Sequence, residues 1–121
     1  MNFSVELSEK EIAFLSQGLI QWGGPVAPSD GLARVIGFDS AADLYDRASS
    51  LAQRIRGRQA MSANDWWRSL RAAEINFASD TLGAGFEWGD VTSLGDQESF
   101  EAMRSVQMKV AREVGYQDQH I

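Results

Sequence analysis

Four stretches of the chain repeat their apolar residues every three or four positions, which is the spacing of one face of an α-helix. The stripes are Ile12, Leu15, Leu19 and Trp22; Leu44, Ala48, Leu51 and Ile55; Trp66, Leu70, Ala73 and Phe77; and Phe100, Met103, Val106, Val110 and Val114. Strict alternation occurs only at Phe3, Val5 and Leu7, which indicates at most a short extended lead-in. The pattern predicts an all-α bundle of four main helices, with a short irregular segment between the first two.

Start and stop signals frame the stripes. Ser8 followed by Glu11 is a capping-box pattern, so the first helix should begin near Glu9. Asp39 or Ser40 should cap the second helix, and Ser62 with Asp65 should begin the third. The fourth is expected from Asp96 to about Val114, with acids in its first turn where the helix dipole favours them. The expected stops are Gly23, Gly57, Gly83 and Gly115.

The length of 121 residues is typical of one domain with one core, so we expect a single helical domain over 1–121. Residues 1–7 form a lead-in and 116–121 a tail, both expected to be flexible. The chain has no cysteine, which excludes disulfides, zinc–thiolate sites and a thiol nucleophile. Its 17 acids against 11 bases, a net charge of −6, argue against nucleic-acid binding.

The beginning of the chain, Met1 to Ser4, has neither the basic nor the apolar region of a secretory signal. No stretch approaches the roughly 20 apolar residues of a membrane-spanning helix. The expected location is the cytoplasm, without a membrane partner.

Catalytic chemistry has few candidate residues. The single histidine, His120, is one residue from the end, where a side chain is seldom fixed well enough for general-base catalysis. Asp43 with Asp46, and Glu98 with Glu101, have the spacing of paired carboxylates on one helix face. We interpret them as solvated surface acids and expect no enzyme activity, cofactor or metal; a carboxylate enzyme using Mg²⁺ or Mn²⁺ is the alternative.

Charge is concentrated in one window of the sequence. Between Arg71 and Arg104 lie seven acids and no lysine or arginine, whereas the rest of the chain is close to neutral. Two aromatic residues, Phe86 and Trp88, lie in a glycine-bounded loop inside this window, where they could anchor a partner. The predicted partner-binding residues are Phe86, Glu87, Trp88, Asp90, Asp96, Glu98 and Glu101. The alternative interpretation is an acidic surface that serves solubility.

Three motifs, Trp66 to Leu70, Glu74 to Asp80 and Gly83 to Trp88, resemble a signature of short bacterial proteins of uncharacterised function. The small, acidic, cysteine-free helical character also resembles immunity proteins of toxin delivery systems such as contact-dependent growth inhibition. That resemblance implies a protein that binds and neutralises a cognate, basic, nuclease-like toxin domain in the cytoplasm. A self-associating structural or regulatory subunit is the alternative, with a homodimer closed by Trp67 and the last stripe.

Overall fold

The computed structural model describes residues 1–23, 28–78 and 95–115, which contain five α-helices and one two-stranded sheet. The helices are α1 (Glu9–Ile20), α2 (Asp30–Ile36), α3 (Ala41–Arg56), α4 (Ala63–Ala78) and α5 (Asp96–Glu113), and a 3-10 turn over Gln21–Gly23 extends α1. The predicted all-α class is confirmed. The segment between the first two main helices contains a two-turn helix, α2. The expected stop at Gly83 and the expected tail, 116–121, lie outside the described residues.

The caps lie where the sequence predicts them. The backbone N–H of Ser8 donates to Glu11 Oε1 at 2.7 Å, and the Glu11 N–H donates to Ser8 Oγ at 3.2 Å. Ser40 rather than Asp39 caps α3, accepting from the Asp43 N–H. The Ser62 hydroxyl accepts from the Asp65 N–H in the same way.

The extended lead-in contributes a strand. Asn2–Phe3 (β1) pairs antiparallel with Met61–Ser62 (β2), the segment just before α4. The indole N–H of Trp66 donates to the Phe3 carbonyl at 2.9 Å, which ties β1 to α4 as well. The start of the chain is therefore held at two points.

The core is centred on α1, which packs against α3, α4 and α5. Two hydrogen bonds show that α1 and α4 run in opposite directions: Trp22 Nε1 donates to the Ala72 carbonyl at 3.0 Å, and Asn76 Nδ2 to the Gly18 carbonyl at 2.9 Å. Most stripe residues are buried as predicted. Phe100 is the exception, since it is 53% exposed and lies outside the core.

The two adjacent tryptophans face different neighbours. Trp66 contacts β1, whereas Trp67 contacts the end of α5 by donating to the Gly115 carbonyl at 2.8 Å. Both are buried, and so are Val106, Val110 and Val114 of the last stripe. These residues form the core within one chain, whereas Phe100 at the head of the same stripe is exposed.

Arginines of α4 hold the end of α2. Arg68 Nε donates to the Gly37 carbonyl at 2.6 Å, and Arg71 Nε donates to the Ile36 carbonyl at 2.9 Å. Cations at a helix C-terminus bind the carbonyls that have no partner within the helix. The short α2 is thereby attached to the main bundle.

Candidate functional site

The structure describes the side chains of two of the predicted partner-binding residues, Glu98 and Glu101 of α5. Asp96 begins α5, but its side chain lies outside the described part. The remaining four predicted residues also lie outside the described residues: Phe86, Glu87, Trp88 and Asp90.

Glu98 is not an unpartnered acid. Its carboxylate contacts Lys10 Nζ of α1 at 2.8 Å, with the two side chains 44% and 65% exposed. The hydrogen bond and charge of Lys10 lower the pKa of Glu98, and the same contact raises the pKa of Lys10. Because both groups are so exposed, the pair adds little to stability. Glu101, one turn further along α5, is exposed and also raises the pKa of Lys10.

Beneath these acids lies an ion pair that was not predicted from the sequence. Glu11 of α1 is 3% exposed and its Oε1 contacts Lys109 Nζ of α5 at 2.7 Å. Burial acts to raise the pKa of Glu11, but hydrogen bonds from Lys109, Ser105 and Ser8 outweigh it and lower the pKa. Glu11 precedes Leu15 by four residues, so it shares the buried face of α1. That spacing is the sequence signal for its burial.

The two ion pairs, Lys10–Glu98 and Glu11–Lys109, line one small pocket of about 250 Å³. Lys10 and Glu11 of α1 lie on one side, and Glu98, Glu101 and Lys109 of α5 lie on the other. Its charged residues include both signs. In the described part of the chain, no group of three or more histidine, cysteine, aspartate or glutamate residues has the arrangement of a metal site. The pocket therefore has the character of a charged crevice between α1 and α5.

Almost all lysine and arginine side chains have a hydrogen-bond or ion-pair partner within the chain. All 11 lysines and arginines lie in described segments, and nine of them have a hydrogen-bond or ion-pair partner in the chain. Only Arg54 and Arg56, at the end of α3, have none among the described residues. The described acids without a hydrogen-bond or ion-pair partner for their side chains there are Glu6, Glu9, Asp39, Asp46 and Glu101.

A second stripe on α5 points outward and was likewise not predicted. Phe100 and Met108 are 53% and 64% exposed, and Arg104 lies midway between them at spacing four. Beside this stripe, Trp67 and Leu70 of α4 form part of a cleft of about 380 Å³ that Met108 also lines. Large apolar side chains of this stripe lie beside Glu101, which has no ion-pair partner among the described residues.

None of the described helices is both long and apolar enough to cross a bilayer. No family model, curated protein or solved structure matches this chain.

Proposed function

We propose that this chain is a small acidic immunity- or antitoxin-type protein that binds and neutralises a cognate toxin domain with a basic, nuclease-like surface in the cytoplasm. The main support for this proposal is the balance between acidic and basic side chains. Nine of the 11 cations are bonded within the chain, five of them to carboxylates, and the 17 acids outnumber the 11 cations, so the net charge that a partner meets is negative.

Such a surface suits a cationic partner for a kinetic reason. Exposed acidic side chains attract a basic protein over a distance and so increase its association rate. Salt screens this attraction. A nuclease carries basic residues to bind phosphates, so an acidic inhibitor can cover the same residues. The acidic window reaches α5 at Glu98 and Glu101, next to the exposed ring of Phe100.

An aromatic ring beside charged residues is a common composition for a binding centre. Partially exposed aromatics supply the apolar contact that slows dissociation, and surrounding charges set the association rate. Phe100 with Glu101 has this arrangement in the structure. Phe86 and Trp88, with Glu87 and Asp90, remain the anchor predicted from the sequence.

Partner identification is the first test. The tagged chain is expressed in its native host and purified at low and then moderate salt. A stoichiometric basic partner with nuclease-like activity, bound more weakly at the higher salt and inhibited by the purified chain, is expected. Recovery of the chain alone, or of a partner whose activity the chain does not inhibit, would contradict the proposal.

A matched pair of variants tests the acidic surface against that partner. Glu101→Lys reverses a charge in the acidic window, whereas Asp46→Lys makes the same change on the exposed surface of α3. We expect Glu101→Lys to slow association about tenfold and reduce its salt dependence, and Asp46→Lys to have a smaller effect. Equal association rates for the two variants would show that the window has no special role.

Self-association is the second candidate function, favoured by the exposed Phe100 and Met108 on one face of α5. Sedimentation velocity over a concentration series measures it directly. A mass that rises with concentration, and returns to that of a monomer in Phe100→Glu, would support a homodimer through this face rather than through Trp67. A monomer at every concentration would exclude it.

A further inference from the structure

A groove of about 820 Å³ lies between the N-terminal lead-in and the end of α5. Its size is within the range of ligand pockets. One wall is the continuous segment Ser4–Ser8, and Arg58, Lys109, Arg112 and Glu113 line the rest. It shares Ser8 and Lys109 with the pocket that Glu98 and Glu101 line, but neither of these acids lines the groove, so it adds to the proposed function.

The first wall presents main-chain groups. Residues 4–8 continue directly from β1 but belong to no helix or strand. The N–H groups of Val5, Glu6 and Leu7 have no hydrogen-bond partner within the described chain. Unpaired N–H groups along a segment next to a strand are the groups to which an extended peptide binds when it adds to a sheet edge.

The opposite wall supplies cations that retain donors. Arg58 uses Nη1 to donate to the Leu7 carbonyl at 2.7 Å, and Arg112 uses Nε to contact Glu113 at 3.3 Å. A guanidinium has five N–H donors, so both side chains have others for a carboxylate. Lys109 is already bonded to the buried Glu11. Glu6 and Glu113 are the two carboxylates in the groove, which limits its affinity for anions.

Arg58 has an unusual backbone for its residue type. Its φ of 56° lies in the left-handed region, although the preceding residue is glycine and has a φ of −82°. Non-glycine residues in this region carry strain and are frequent at binding sites. Here the strained conformation accompanies an Arg58 side chain that crosses to the lead-in and lines the groove.

We infer that this groove binds an extended acidic peptide segment, whose main-chain carbonyls accept hydrogen bonds from the alternate N–H groups of Val5 and Leu7 and whose carboxylates bind the guanidiniums of Arg58 and Arg112. The main-chain pairing gives the orientation, and the arginines select acidic side chains. The ligand chemistry is thus opposite in sign to that of the toxin proposed above. The two sites can be tested independently.

The test is a nuclear magnetic resonance titration of the ¹⁵N-labelled full chain. The probe is an acetylated, amidated hexapeptide of alternating valine and aspartate, compared with the same peptide carrying lysine in place of aspartate. Saturable shifts of the Val5, Glu6 and Leu7 amides with the acidic peptide, and none with the basic one, are expected. Absence of saturable shifts at millimolar peptide, or equal responses to both peptides, would overturn the proposal.

Two further experiments, one with protein variants and one with a modified peptide, test how the groove binds the peptide. Arg112→Gln should weaken binding about tenfold, as expected for loss of a charge-assisted contact, whereas Arg56→Gln, outside the groove, should leave it unchanged. An acidic peptide with ester links in place of amide links, whose carbonyls are weaker hydrogen-bond acceptors, should also bind more weakly. If inorganic phosphate alone gives the same amide shifts, or if Arg112→Gln binds as tightly as the unaltered chain, the peptide proposal is wrong.

Discussion

Trp67 of α4 donates its indole N–H to the carbonyl of Gly115, 48 residues away, at 2.8 Å. Gly115 has a φ of 81° and lies just beyond the end of α5, so this bond holds the end of the last helix against α4. Buried tryptophans generally find a partner for this N–H, and here the partner is a carbonyl at a helix end.

Replacing Trp67 with phenylalanine should lower the free energy of unfolding by about 1–3 kcal/mol. The variant keeps most of the apolar contact but leaves the Gly115 carbonyl without its donor. Urea unfolding measures the change. Trp66→Phe, which removes the equivalent bond to Phe3 at 2.9 Å, is the matched variant and should behave similarly. An unchanged unfolding midpoint for Trp67→Phe would show that the indole bond contributes nothing.

Breaking the ion pair between Glu11 and Lys109 from one side should be more harmful than replacing both partners. Glu11→Leu leaves the Lys109 cation without its partner, and we expect a loss of about 2–4 kcal/mol, since Lys109 retains 28% exposure and some contact with water. Adding Lys109→Met removes that unpaired charge and should restore part of the loss. Urea unfolding of the two single variants and the double variant measures the coupling. Purely additive losses would contradict a direct interaction.

Acid should weaken the fold through the same glutamate. Because the pKa of Glu11 in the folded chain is below its ordinary value of 4.5, its contribution is complete above that value and is lost as the pH falls through the folded pKa. Unfolding curves between about pH 6 and pH 3 should show this loss, and Glu11→Gln should show a shallower dependence. Equal pH dependence in the two proteins would indicate that other carboxyls are responsible.

Two variants of Arg58 distinguish the effect of backbone strain from that of the side-chain hydrogen bond. Arg58→Ala loses the bond to the Leu7 carbonyl and keeps the left-handed φ of 56°, so it should cost about 1–2 kcal/mol. Arg58→Gly loses the same bond but relieves the strain, and should be about 1 kcal/mol more stable than Arg58→Ala. Thermal unfolding distinguishes them. The opposite order would show that the left-handed conformation carries no strain here.

Gly37 and Gly95 form a second matched pair. Gly37 has a φ of 121°, and a Cβ there would lie 2.9 Å from Cγ of Arg68, so Gly37→Ala should destabilise by about 2 kcal/mol or more. Gly95 precedes α5 with a φ of −73°, and a Cβ there would have no described atom within 4 Å, so Gly95→Ala should change stability by less than about 1 kcal/mol. Thermal unfolding of the two variants compares them. Similar losses at both positions would refute this distinction.

The helices are predictable because the signals that begin and end them are local. The Ser8 and Glu11 capping box spans four residues, and Ser40 and Ser62 cap the helices that follow them. The two-turn α2 is less predictable, since it is held by Arg68 and Arg71 from another helix. Phe100 belongs to the last apolar stripe but is exposed, because periodicity shows that residues share a face without showing which faces are covered.

Sequence alone determined the helical class, the capped helix starts, most of the core and the acidic excess, since each depends on composition or on residues within one or two turns. Tertiary structure decided which charges have partners. Glu11 and Lys109 are 98 residues apart, and Arg58 and Leu7 are 51 apart, so neither contact is visible in a local pattern. Several packings of the same helices would bury the same stripes, and only the packing that forms brings these side chains together.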